Sequence, residues 1–157
     1  MATDDLMSRI LGEIGETAEI DGTLPVETIH RLVDAGDDPR PMSIAEVAEL
    51  LDLSPHSIRY YERAGLLTVA RDGLGHRVYD AEAQRRLVFV TRMRLSGMPM
   101  RDLQHYVELV DAGDDSISER LDMLLEHRDT IRRRMRELTL SLAATEYKIA
   151  TYRSHGG

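Results

Sequence analysis

From Ile117 to Tyr152 the chain repeats at alternating intervals of four and three, through Ile117, Leu121, Leu124, Arg128, Ile131, Met135, Leu138, Leu142, Thr145, Ile149 and Tyr152. This is a heptad seam sustained for about five repeats, the spacing that keeps one narrow apolar stripe turned toward a partner helix. At 1.5 Å per residue such a helix is on the order of 50 Å long. A chain of 157 residues cannot wrap that stripe in a core of its own, so the seam calls for a second copy. Periodicity specifies association but not direction. Arg128 and Thr145 interrupt the seam, and polar members of this kind select register or orientation at some cost in stability. Residues 114–153 are therefore expected to form a dimerisation helix, with 154–157 a short tail.

What precedes the seam has room for one small domain and an extension. One Phe, no Trp and a charged fraction of 31% point to helices built on Leu, Ile, Val and Met. Ser43 is a good N-cap with Glu46 three residues on, a capping box, and Ile44, Val47, Ala48, Leu50 and Leu51 follow on one helical face. Asp52 and Leu53 make a turn. Ser54 and Pro55 restart a helix as N-cap and first residue; Ile58 and Tyr61 point inward, and Gly65 ends it. This helix presents His56, Ser57, Arg59, Tyr60 and Arg63 outward. Two short helices across a tight turn make a helix-turn-helix, whose second helix enters the major groove of DNA.

The stretch from Arg71 to Tyr79 then reads as a hairpin with an arginine on each side of a glycine turn. Guanidinium groups offer a rigid fork of donors matched to phosphate oxygens, so such a wing can clamp a backbone. A further helix starts from Asp80, Gly97 breaks it, and another runs from Met100 to Val110 before Gly113. Arg85 and Arg86 on the first of these read equally as phosphate contacts or as solvated charge. Residues 42–113 thus form a head, mainly α, with a small β-hairpin.

The net charge of −8 would argue against a DNA partner if it were spread evenly, but it is not. Residues 1–41 hold ten acidic and three basic side chains, a balance of −7, whereas Ser54 to Arg94 hold eight arginines against four acids, a balance of +4. The first 41 residues are expected to be an acidic extension, partly helical or flexible. It either packs loosely on its own dimer or covers the basic surface by charge.

These residues together resemble the MerR family of transcription regulators. The similarity is carried by Ser43 through Ala48, by Ser57 through Glu62 with Gly65 to Leu67, and by Arg71, Arg77, Val78 and Tyr79 around the glycine turn. Arg92 through Leu103 resembles the family's second helical pair. In the family the arginine and first tyrosine of the recognition helix contact DNA, as do wing arginines. The resemblance therefore assigns Arg59, Tyr60, Arg71 and Arg77 to DNA, with His56 and Ser57 as candidate base readers. Arg63, His76 and Tyr79 complete the candidate set. It also implies an antiparallel coiled coil, with Ile117, Leu121, Leu124, Arg128, Ile131, Met135, Leu138, Leu142, Ile149 and Tyr152 at the contact. The implied partners are double-stranded promoter DNA with a pseudo-palindromic operator, a second copy and RNA polymerase, and the implied action is distortion of the promoter. An excisionase-like DNA-bending protein shares the winged head, and a regulator governed by a partner protein is the other alternative.

The chain has no cysteine, which removes thiolate metal sites, iron–sulfur clusters, disulfides and cysteine nucleophiles. Its six histidines show no pairing at helical spacing of the sort metal sites use, so no metal or cofactor is expected. No glycine-rich phosphate loop or nucleophile–base arrangement suggests an enzyme. A small organic effector could sit among Met98, Met100, Tyr106 and Tyr147; each reads otherwise as a packing residue. No apolar run approaches the roughly 20 residues that span a bilayer, and the acidic N-terminus lacks a signal-peptide pattern, so a cytoplasmic protein with no membrane partner is expected.

Overall fold

The computed structural model describes residues 40–156. The acidic extension expected over residues 1–41 lies outside them, save for Arg40 and Pro41. The elements are α1 (Ile44–Leu51), α2 (Pro55–Arg63), β1 (Ala70–Arg71), β2 (Arg77–Val78), α3 (Ala81–Leu95), α4 (Met100–Ala112), a 3-10 turn (Asp114–Ser116) and α5 (Ile117–His155). Two compact units divide within α4, the first running through His105 and the second starting at Tyr106.

Helix starts in the first unit follow from their caps. The Glu46 N–H donates to Ser43 Oγ at 3.2 Å, and the Ser43 N–H donates to Glu46 Oε1 at 3.3 Å, closing the capping box. The Ser43 backbone N–H, foremost, holds the Glu46 carboxyl below the usual carboxylate range, and Arg40 adds to this at 3.0 Å. Asp52 ends α1 in the left-handed region at φ 52°, a conformation that Asp tolerates. Ser54 and Asp80 cap α2 and α3 with side-chain oxygens that accept from the Ser57 and Ala83 N–H groups. Gly65, at φ 79°, reverses the chain after α2 and sends Leu66 and Leu67 into the interior.

The hairpin pairs β1 with β2 antiparallel, Ala70 opposite Val78 and Arg71 opposite Arg77. Met42 adds a bridge to its outer end: the Met42 N–H donates to the Tyr79 carbonyl at 2.9 Å, and the Tyr79 N–H returns a bond to the Met42 carbonyl at 2.8 Å. Gln84, itself buried, donates through Nε2 to the carbonyls of Tyr79 and Arg40, both at 2.9 Å. The core of this unit is made by Val47, Leu51, Ile58, Leu66, Leu67, Tyr79, Leu87, Val90, Met98 and Leu103. Burial of one such aliphatic side chain contributes roughly 1.5–3 kcal/mol.

In the second unit, Ser116 Oγ donates to the carbonyls of Leu109 and Gly113, and Arg120 reaches the Gly113 carbonyl at 3.5 Å. These bonds tie the start of α5 to the end of α4. Beyond them α5 runs uncovered: every residue from 132 to 150 is exposed.

Candidate nucleic-acid interface

The surface expected to meet DNA begins on α2. Its inward side carries Ile58, fully buried, and Tyr61, half-buried, whose phenol is pushed up by that burial. Its other side carries exposed His56, Tyr60 and Arg63, with Ser57 and Arg59 partly exposed. Tyr60 keeps 46% of its surface and lies 5.9 Å, centroid to centroid, from Tyr61 in a tilted pair, so the buried ring steadies the open one. Ser57 Oγ lies 2.9 Å from Ser54 Oγ, which engages that hydroxyl in the helix start. Gln104 donates through Nε2 to the Ala64 carbonyl at 2.9 Å and satisfies the far end of α2.

The wing is fastened to this helix. Arg77 Nε donates to Glu62 Oε2 at 2.8 Å, and both side chains are about three-quarters covered. Arg77 was expected as a phosphate clamp on the wing. It is also a strut between β2 and α2. Glu62 was absent from the sequence-derived site. Its signal was available: it is the one acid between Ser54 and Arg71, in a stretch otherwise basic.

Tyr79 departs from the expectation of a surface contact. It has no exposed surface, its hydroxyl finds no hydrogen-bond partner among the described residues, and burial, then the Glu62 carboxylate, push its phenol up. A side chain so placed supports the wing from within, because β2 directs it toward the core while Met42 pairs with its backbone.

Arg71, at the end of β1, and His76, in the turn, lie exposed. Arg71 Nη1 donates to the Gly75 carbonyl at 2.7 Å. Asp72 Oδ1 accepts from the backbone N–H groups of Leu74 and His76, each at 2.9 Å, and these bonds, that to His76 foremost, hold its carboxyl below the usual range. The turn is thus pre-shaped with its arginine and histidine outermost. Gathered along α2 and the wing are Arg59, Arg63, Arg71, His76 and Arg77, donors suited to phosphates and base edges.

The seam residues stand open in the single chain. Ile117, Leu121, Met135, Leu138, Leu142, Ile149 and Tyr152 are all exposed, Leu124 and Ile131 are partly so, and Arg128 pairs with Asp129 at 3.2 Å. The four candidate effector residues are divided between the units: Met98 is buried in the first, with Met100 partly exposed, while Tyr106 is partly and Tyr147 largely exposed in the second. Among the described residues no group of three or more His, Asp or Glu could hold a metal ion, and no helix is long and apolar enough to cross a membrane.

Comparison with known proteins places this geometry. A family model for MerR HTH family regulatory proteins matches residues 42–109, and a second, for MerR DNA binding, matches residues 84–144. An HTH-type transcriptional regulator of Haemophilus influenzae is 31% identical over 69% of this chain and 81% of its own length. The HTH-type transcriptional regulator AdhR of Bacillus subtilis is 35% identical over 57% of this chain and 65% of its own. The crystal structure of HiNmlR, a MerR family regulator lacking the sensor domain, bound to promoter DNA, is similar with a TM-score of 0.68 at 28% identity. That likeness covers 73% of this chain and 92% of the other.

Proposed function

This chain belongs to the MerR family of helix-turn-helix transcriptional regulators, and from that premise we propose that it binds a pseudo-palindromic promoter operator as a homodimer. The observation that carries the proposal is the surface made by α2 and the wing. Its outward side chains include the basic Arg59, Arg63, Arg71 and His76 and the aromatic Tyr60, and the Arg77–Glu62 strut holds the two elements as one reading face.

In this reading α2 lies in the major groove, where His56, Ser57 and Arg59 address base edges and Tyr60 and Arg63 address the backbone. Arg71, His76 and the free donors of Arg77 hold phosphates beside it. Phosphate contacts supply most of the affinity and make it fall with salt, and each good bidentate contact to a base discriminates by about 1–3 kcal/mol. The open stripe on α5 pairs with the same stripe of a second, antiparallel copy, which sets two heads on a two-fold axis. The pair distorts the promoter and so alters its use by RNA polymerase, since deformable steps make such bending sequence-dependent. The chain has no thiol, and in this reading its signal is a small organic effector or a partner protein in the cytoplasm. The relatives and solved structures that resemble it favour a regulator over an excisionase-like bending protein.

Arg59→Ala is the direct test. On a duplex selected from a random-sequence pool by the wild-type protein, its affinity should fall roughly a hundredfold or more, because each dimer loses the contact twice. Its sedimentation should remain that of the wild type. Unchanged affinity would remove Arg59 from the interface and the reading with it.

A further inference from the structure

The acidic extension is the one part of the chain that the reading face does not yet use. Residues 1–41 carry a balance of −7, against +4 for Ser54 to Arg94. Its acids do not form a solid block. Near the head, Glu27 and Asp34 are set among Val26, Ile29, Leu32 and Val33, and Asp37 and Asp38 follow. An acidic segment by itself is most simply a solvated one. Where this one joins the head gives it a more particular role.

The chain is fixed at its entry to the head. The Arg40 carbonyl accepts from buried Gln84, the Arg40 guanidinium meets Glu46 at 3.0 Å, and Met42 pairs through both its N–H and its carbonyl with Tyr79, next to β2. The extension therefore begins at the base of the wing. β2 carries Arg77, whose bond to Glu62 ties that wing to α2. Eight extended residues span at most on the order of 25 Å. That reach from Met42 back to Asp34 exceeds the length of α2, which at nine residues is on the order of 14 Å.

The face within that reach is basic and partly apolar. Arg59 and Arg63 have no ion-pair partner among the described residues, and Arg71 donates to the Gly75 carbonyl and meets no carboxylate there. Beside these guanidiniums stand two open apolar surfaces, Tyr60 and, at the wing tip, Leu74, which is 84% exposed. Carboxylates match arginine forks, and aliphatic side chains match Tyr60 and Leu74. A segment that mixes acids with Val, Ile and Leu supplies both.

We propose that residues 1–39 dock over α2 and the wing of their own head and compete there with DNA. The proposal rests on the reading of that face as the DNA-binding surface. A short tether gives a segment an effective concentration in the millimolar range, so a contact too weak to hold between separate molecules suffices. A face covered about nine-tenths of the time binds DNA roughly tenfold more weakly. The global acidity of the chain then has a use: it lowers the affinity of a basic head until the arm is displaced.

The test compares three proteins: the full chain, a chain lacking residues 1–39, and a full chain with Asp34→Asn, Asp37→Asn and Asp38→Asn. The deletion keeps Arg40 and Met42 and removes none of the side chains that form the core of the head; the triple variant keeps the whole chain. Without DNA, the amide resonances of Tyr60, Arg63, Arg71 and Leu74 should differ between the full chain and the deletion, while that of Leu138 on α5 coincides. About 0.5 M salt should bring the full chain toward the deletion, because exposed ion pairs are screened. On the selected duplex at low salt the deletion should bind roughly tenfold more tightly than the full chain, and the triple variant about threefold. Head resonances that coincide in all three proteins would overturn the proposal even if affinity changed, since an acidic arm can repel DNA from a distance without docking. Resonances that differ with no gain in affinity would overturn the competition. Arg59→Ala separates the two levels. If that variant loses binding while the deletion changes neither resonances nor affinity, the docked arm alone falls; if that variant binds normally, the reading of the face falls and the competition with it.

Discussion

Leu87, Val90 and Leu103 have no exposed surface, whereas Leu138, Leu140 and Leu142 are each more than half exposed. The same kinds of side chain meet opposite environments in the head and on α5. In the head several helices and a hairpin enclose a common interior, and Ser43, Ser54 and Asp80 cap the helices with their own oxygens. On α5 the start has no side-chain cap, because Ser116 is engaged with the Leu109 and Gly113 carbonyls. Farther along, Thr130, Thr139, Ser141, Thr145 and Thr151 turn their hydroxyls back onto the carbonyl one turn before. These hydroxyls satisfy themselves locally, which keeps them from competing with an apolar stripe for a partner. The difference is between a fold that encloses its own apolar side chains and a helix that leaves them open in the single chain.

The largest expected effect breaks the second half of that contrast. Leu138→Asp puts a carboxylate into the seam twice per dimer. Losing a buried leucine costs about 3 kcal/mol, and burying a charge in its place costs more. The dissociation constant of the dimer should rise more than roughly a thousandfold, and sedimentation should find monomer at micromolar concentration. Thermal unfolding of the head, followed by the amide resonances of Ile58 and Leu87, should stay cooperative. A variant that is still dimeric would remove Leu138 from the seam.

Ile58→Ala tests the first half and should have a smaller effect. Ile58 is fully buried beneath the recognition face, and its truncation should destabilise the head by roughly 2–5 kcal/mol, with a lower melting temperature. Its dimerisation constant should match that of the wild type. If the dimer weakened in parallel, head and helix would not be separable in energy, and the contrast would fail.

The two regions were also unequally legible in the sequence. The capping box at Ser43, the restart at Ser54 and Pro55, and the break at Gly97 follow from local chemistry, so the elements of the head could be read before its structure. The long helix beneath the heptad pattern was equally plain. What escaped was contact between residues far apart in sequence. Arg77 and Glu62 are separated by fifteen positions, and Gln84 reaches Arg40 across forty-four. Nothing in spacing alone distinguishes an arginine held by a carboxylate from one left for phosphate. Tyr79 differs for a related reason: strand alternation gives two faces without saying which is inside, and one residue beyond the two-residue β2 the core decides.

The smallest effect sharpens the contrast where the head is least like itself, at a tip held by hydrogen bonds without burial. Asp72 keeps the turn shaped through the Leu74 and His76 N–H groups, and its carboxyl is depressed chiefly by the latter. In the unfolded chain an aspartate titrates near pH 3.9. A group whose folded pKa lies lower adds stability that is fully present above that value and is lost as pH falls through the folded one. The amide resonances of Leu74 and His76 should therefore move together in a titration whose midpoint lies below the ordinary aspartate range, while resonances of α5 such as Leu138 stay still. Asp72→Ala should show the low-pH resonance positions already at neutral pH, and Asp72→Asn, which keeps one accepting oxygen, should fall between. Because the site is solvent-exposed, melting temperatures should barely change. A midpoint at or above the ordinary value would mean that the carboxylate does not hold the tip in solution, and a wing that is loose before it meets DNA would belong with α5, among the parts that wait for a partner to give them shape.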